Sequence, residues 1–267
     1  VELQIYSATN QSHHKEMKLI FVLLISILPN ASWALSQAPP LYESVLFIGD
    51  DHVAGTFGNV VDTYLRTISI EVNTIAECGV TPANWVGVRT DFQSATCGLW
   101  QRDDKNREKK QMEFKPRSFA EELAKADPDL TVIALGTYML KSERDMQNEQ
   151  TAIEKMLMDV EKYQSKCVWI GPPNLTKEPF ASNLENGVRT LKKILSKSRC
   201  EFVDSTKFSN YKGKDGLRYQ VRAATNWGAQ ISIELDKLNR PSPREEQSLN
   251  IESTTPTSLA PGDRSPR

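Results

Sequence analysis

The chain has 267 residues, 33 Lys plus Arg against 34 Asp plus Glu, and 39% apolar side chains. That suits one medium domain with tails and is too little apolar material for a multi-span membrane protein. A formal charge of -1 offers no long-range attraction to a phosphate backbone, and no segment reads as a zinc finger or recognition helix, so no nucleic-acid partner is expected.

Residues 1–16 have no apolar periodicity and read as an upstream leader or an over-long start. Met17 and Lys18 open an apolar run over 19–28, followed by Pro29, Asn30, Ala31, Ser32, Trp33 and Ala34. This is the layout of a signal peptide over 17–34, too short for a comfortable membrane span, with Ser32 and Ala34 as the small residues before a cleavage point. The mature protein is therefore expected to be periplasmic or extracellular, with no stable membrane span. Such compartments permit disulfides. Cys78 and Cys97 bracket a turn-rich segment, while Cys167 and Cys200 each open a predicted strand. Pairing 78 with 97 and 167 with 200 is preferred among three possibilities. There is no Cys-x-x-Cys, and the histidines are His13, His14 and His52. No metal site and no cofactor are expected.

Residues 44–50, SVLFIGD, form an apolar run suited to a buried parallel strand. Helical spacing follows over 52–67 and strand alternation over 68–75. Residues 78–104 read mostly as loop, and 102–117 as a solvated lid with seven basic and four acidic residues. A helix is predicted over 119–126, a strand over 129–136, a helix over 143–163, a strand over 167–171, a helix over 184–196 and a strand over 200–204. The last helix covers 221–238. Residues 239–267 hold five prolines and little apolar periodicity and read as a disordered Pro/Ser-rich tail. Strands separated by helices need crossovers, so the domain at 40–238 is predicted to be a three-layer α/β/α fold around a parallel sheet. Ligands on such sheets sit at the carboxyl ends of the strands. Those ends carry Gly49-Asp50-Asp51, Gly79, Gly136-Thr137-Tyr138 and, after the last strand, Asp215-Gly216-Leu217-Arg218.

These blocks, with the longer strings IGDDHVAGTFG, ECGVTP, TCG, IALGT and DGLRY, resemble the SGNH or GDSL hydrolases, serine esterases and acylhydrolases of flavodoxin-like fold, and in particular their exported, disulfide-containing members. The resemblance implies that Asp51, Gly79, Tyr138, Asp215 and Arg218 occupy the catalytic positions. The serine, asparagine and histidine of the signature are replaced by Asp51, Tyr138 and Arg218. A guanidinium stays protonated and cannot act as the base, and attack by a carboxylate on an ester would give a mixed anhydride. Asp51 and Arg218 are expected to face one another as an ion pair that plugs the pocket, with Asp215 on the same guanidinium. His52, beside the nucleophile position, reads as a packing residue, a ligand contact or a rescued base. Asp50, Asp51, Asp215 and Asp204 could offer oxygens to a hard cation, against which stand the nearby Arg218 and the lack of a calcium-loop pattern.

The resulting expectation is a secreted, catalytically degenerate SGNH hydrolase-like protein that binds cell-wall or surface glycan. His52, Trp85, Arg89 and Trp100 are the candidate ligand contacts, because Trp and Arg stack on sugars and hold acidic groups. The alternatives are an ester hydrolase with an altered site and a protein-interaction module with a protein partner.

Overall fold

The computed structural model describes residues 39–90 and 97–239. The leader, the signal peptide and the tail beyond Asn239 lie outside the described residues. In chain order the elements are β1 (Tyr42–Gly49), α1 (Thr56–Ile68), β2 (Ser69–Glu77), α2 (Pro82–Trp85), β3 (Leu99–Arg102), β4 (Glu108–Gln111), α3 (Phe119–Ala126), β5 (Leu130–Ala134), α4 (Glu143–Lys162), β6 (Lys166–Ile170), α5 (Phe180–Leu195), β7 (Glu201–Val203) and α6 (Val221–Asn239). Short 3-10 turns cover Tyr138–Lys141 and Ser205–Lys207.

Period-two alternation in the strands sorts the apolar side chains into two layers. Val45 and Phe47 of β1 point into one cluster with Val132 of β5 and Val168 of β6, whereas Leu46, Ile48, Ile133 and Trp169 point into the other. A sheet apolar on both faces must be covered on both. Phe57, Val61 and Leu65 of α1, with Trp227, Ile231 and Leu235 of α6, close the first face. Leu123 of α3, Ile153 and Met156 of α4 and Leu191 of α5 close the second. Each fully buried side chain of this kind contributes about 1.5–3 kcal/mol. Local chemistry fixes where two of the covering helices begin. Ser118 accepts a hydrogen bond from the Glu121 amide at 3.4 Å, and Ser142 accepts one from the Asp145 amide at 3.1 Å, so each caps its helix.

The sheet runs β4-β3-β2-β1-β5-β6-β7. The five strands β2, β1, β5, β6 and β7 are parallel, as predicted, with Ile48 opposite both Ile75 and Ile133. The remaining two correct the sequence reading. The 102–117 stretch is not simply a lid, because β3 pairs antiparallel with β2, and β4 antiparallel with β3. All four residues of β4 are exposed, so no apolar alternation marks it in the sequence. Cys78 bonds Cys97 and Cys167 bonds Cys200, the preferred pairing, with Cα separations of 5.8 and 4.4 Å. No described helix is long and apolar enough to cross a membrane.

Because β1 is flanked by β2 on one side and β5 on the other, the chain reverses its direction of progress across the sheet there. The crevice of such a fold opens beyond the carboxyl ends of β1 and β5. Residues 50–52 and 136–138 are placed at that mouth.

Candidate functional site

The turn after β1 delivers Asp50, Asp51 and His52 to the mouth. Asp50 is 2% exposed, and its carboxylate accepts the His52 amide at 3.0 Å. Burial pushes the Asp50 carboxyl up to about 7, with the neighbouring Asp51 adding to the rise and His52 opposing it. The turn after β5 delivers Tyr138. Its hydroxyl donates to Asp51 Oδ2 at 2.8 Å. Burial raises the Tyr138 phenol far above its ordinary range, reinforced by the charges of Asp51 and Asp50, so it remains a protonated donor. Gly136 has φ of +148°, and a Cβ there would stand 2.8 Å from Pro172. Only glycine lets this turn press against the loop after β6.

The last block sits on a separate loop. Asp215 Oδ1 accepts the amides of Leu217 and Arg218 at 3.0 and 2.8 Å, and Asp215 Oδ2 pairs with Arg218 Nε at 3.2 Å. Burial would raise the Asp215 carboxyl, but those amides and the guanidinium outweigh it and hold the carboxyl below its usual range. Gly216, with φ of +79°, accepts the Lys177 amide through its carbonyl at 3.2 Å, and a Cβ on it would meet Lys177 N at 2.6 Å. The loop is thereby pinned to the chain that follows β6.

This geometry corrects the expected plug. The ion pair expected between Asp51 and Arg218 is replaced by two local partnerships, Tyr138 with Asp51 and Arg218 with Asp215. Arg218 lies only three residues after Asp215, and the Asp215 turn folds the guanidinium onto its own loop. The side chains of Arg218 and Asp215 are 64% and 41% exposed, so their pair adds little stability. The contact between Tyr138 and Asp51 was legible only as two replaced positions at neighbouring strand ends.

The proposed ligand contacts are also redistributed. Trp85 is fully buried in the core with α4, and Trp100 is 2% exposed, with its indole nitrogen donating to Glu108 and Arg102 over its ring at 5.1 Å. Neither ring presents a face to a sugar. Arg89 pairs with Asp145 at 3.3 Å and Glu149 at 3.4 Å, fastening the segment after α2 to α4. His52 is 8% exposed and packs edge-on against Trp227 and Tyr219, with centroids 5.3 and 6.1 Å away. Sequence reasoning placed these aromatic and basic residues at a rim because their segments looked like loop. The aromatic residues that do accompany the Asp215 loop are Tyr211 and Tyr219, in edge contact at 5.3 Å. The metal-capable grouping is also not the one weighed from sequence. Asp50, Asp51 and His52 gather, without Asp204 or Asp215.

Behind the Gly79 position, Glu77 ends β2 with no exposed surface, accepting the Arg117 amide at 3.0 Å. Burial pushes its carboxyl up to about 8, against the lowering effect of Arg117. An acid whose folded pKa is raised holds its proton more tightly when folded, so stability falls as pH rises from about 4.3, the unfolded value, through about 8. Glu77→Gln should raise the melting temperature at pH 8 and leave it nearly unchanged at pH 4. Equal shifts at both values would show that Glu77 does not drive the pH dependence.

Comparison with solved structures reports the same architecture. An aryl esterase of M. smegmatis matches with a TM-score of 0.56 at 16% identity, over 73% of this chain and 99% of that one. A carbohydrate acetylesterase family member from Sinorhizobium meliloti matches at 0.52 and 17%, over 74% and 99%. A GDSL-like lipase from Bacteroides thetaiotaomicron matches at 0.50 and 14%, over 73% and 88%. The fold is that of the SGNH hydrolases. No family model and no curated protein matches the chain. On an SGNH hydrolase-like scaffold, serine chemistry needs a hydroxyl nucleophile, a base that titrates near neutrality and donors for the oxyanion. The corresponding turns here present a carboxyl held by a phenol and, on the Asp215 loop, a permanently protonated guanidinium.

Proposed function

We infer that this chain is an exported SGNH hydrolase-like protein that has lost ester hydrolysis and binds a cell-wall or surface glycan beside the former catalytic mouth. One observation carries the loss of chemistry: the Tyr138 hydroxyl closes on Asp51 where the resemblance puts the serine nucleophile. Two disulfides support export. The acetylesterase neighbour acts on carbohydrate by its printed description, and that supports a glycan as the ligand class. With Trp85 and Trp100 buried, the ligand surface moves to a cleft of about 520 Å³ next to the Asp215 loop. Asn210, Lys212, Gln220, Arg222 and Asn226 line it with amide and cationic donors beside Phe208, a composition suited to sugar hydroxyls and acidic substituents.

The test compares p-nitrophenyl acetate hydrolysis by the unaltered chain and by a variant carrying Asp51→Ser, Tyr138→Asn and Arg218→His. The unaltered chain should match the buffer rate, and the variant should exceed it by about tenfold or more, because the three changes restore a hydroxyl nucleophile, an imidazole base and an amide donor for the oxyanion. Turnover by the unaltered chain that Asp51→Asn abolishes would overturn the reading in favour of an altered esterase. Binding to isolated sacculi should weaken on Arg222→Ala. Capture of a protein and no glycan would favour an interaction module instead.

A further inference from the structure

The turn that carries Asp51 holds a second kind of chemistry. One donor atom each from Asp50, Asp51 and His52 lies within 4.8 Å of the others. Two atoms of this group, Asp51 Oδ1 and His52 Nε2, are buried and have no hydrogen-bond partner among the described residues. His52 is itself more than nine-tenths buried, so water does not readily satisfy its ring. Buried polar atoms are normally paired, and two orphans in one three-residue turn require an explanation. A cavity of about 10 Å³ lined by Asp50, His52, Thr137 and Trp227 adjoins the imidazole, close to the volume of a single small occupant.

A divalent cation satisfies both orphans together, since it accepts a lone pair from imidazole and from carboxylate. The guanidinium of Arg218 pairs with Asp215 on the outer loop, and its charge, which still reaches the Tyr138 phenol, weakens a cation site beside Asp51 without occupying its donors. The surroundings are those of a ligand set held from behind. The Tyr138 hydroxyl donates to the other Asp51 oxygen, and the His52 amide donates to Asp50. Such outer contacts orient first ligands and tune a bound metal.

We propose that Asp50, Asp51 and His52 form a binding site for a zinc-class divalent metal ion. One imidazole and two carboxylates favour Zn²⁺ over Ca²⁺ or Mg²⁺, which take oxygen ligands in greater number. Three protein ligands leave a fourth position open toward the mouth. At bond lengths of about 2.0–2.1 Å, ligand atoms stand roughly 3.3 Å apart around a tetrahedral ion, so the ion draws the three donors inward. The site shares Trp227 with the proposed glycan cleft, but none of its three ligands lines that cleft.

The full chain is titrated with Co²⁺, followed by visible absorption, and then challenged with Zn²⁺. The expected result is one Co²⁺ per chain, a ligand-field band of tetrahedral intensity, and its loss as Zn²⁺ replaces it. Asp51→Asn and His52→Gln should each weaken binding by about tenfold or more. Tyr138→Phe removes only the supporting hydroxyl and should shift affinity in the same direction with the far-ultraviolet circular dichroism unchanged, so a folding failure in the first two variants does not spare the proposal. Absence of stoichiometric binding overturns it. So does undiminished binding in all three variants, which would put the ion elsewhere, for example on His13 and His14. Loss of glycan binding or of esterase rescue would leave this result unaffected.

Discussion

Reducing the two disulfides is expected to take away most of the domain's stability. Cys78 and Cys97 close a loop of 19 residues, and Cys167 and Cys200 one of 33. Loop-closure entropy assigns them about 3 and about 4 kcal/mol, respectively. A domain of this size has a margin of about 5–15 kcal/mol in all. The two bridges join the ends of different parts of the sheet. The first ties the residue after β2 to the approach of β3, and the second ties β6 to the entry of β7. Their losses therefore fall on separate regions and should approximately add. The measurement is a urea transition recorded on oxidised and reduced chain, with free thiols counted to prove reduction. A midpoint that stays in place after four thiols are titrated would contradict the argument. The expected fall would also mean that the chain reaches its stable state only where thiols are oxidised, in keeping with the proposed export.

The second large effect is expected from Asp62→Ala. Asp62 is fully buried on α1. Its oxygens accept Thr74 Oγ1 at 2.5 Å, Arg66 Nε at 3.0 Å and Arg102 Nη1 at 2.7 Å. Arg66 in turn donates to the Asp103 carbonyl at 3.0 Å, and Arg102 to Asn59 Oδ1 at 3.0 Å. One carboxylate thus collects two guanidiniums and locks β3 onto α1. Removing it leaves the Thr74 hydroxyl without its acceptor and takes a carboxylate from both cations, Arg66 keeping the Val72 and Asp103 carbonyls and Arg102 keeping Asn59 and Glu108. Breaking a buried pair from one side costs about 3–5 kcal/mol. The arginine side chains keep 20% and 15% of their surface, which lets water recover part of the loss and points to the lower end, about 3 kcal/mol. Asp62→Asn keeps one acceptor for Thr74 and should cost about half as much. Denaturant unfolding of the three proteins decides it, and a loss below about 0.5 kcal/mol in Asp62→Ala would show that the network carries no stability.

The parallel half of the molecule was readable because burial on two faces leaves apolar runs such as VLFIG and TVIA that admit few other interpretations. The glycine blocks at strand ends were readable for a related reason, since tight turns at a crevice restrict residue choice. The antiparallel pair β3 and β4 was not readable, because β4 is exposed throughout and β3 buries two adjacent residues, Leu99 and Trp100, which display no period-two alternation. The site was half legible. The order of the blocks brought Asp50, Asp51, His52 and Tyr138 to one mouth, but did not tell which charged group would meet which. Asp51 and Arg218 are complementary in charge and suggested a pair. The Asp215 turn, with its two accepted amides, instead turns Arg218 back on its own loop, and a phenol from the strand end next to β1 takes its place. Trp85 and Trp100 illustrate a different limit. A tryptophan in a segment without periodicity looks like a rim contact, yet a disulfide and an added hairpin build enough structure there to enclose both rings.

The exposed outer strand β4 has a consequence for self-association. Its sequence, Glu108-Lys109-Lys110-Gln111, places two ammonium groups on the outermost rung of the sheet. Another copy approaching to continue the ladder would bring its own lysines alongside these, and like charges set against one another across strands disfavour that growth. The opposite border is β7, whose three residues offer a short template. Edge-to-edge stacking through either border is therefore discouraged by the charge of one outer strand and the shortness of the other.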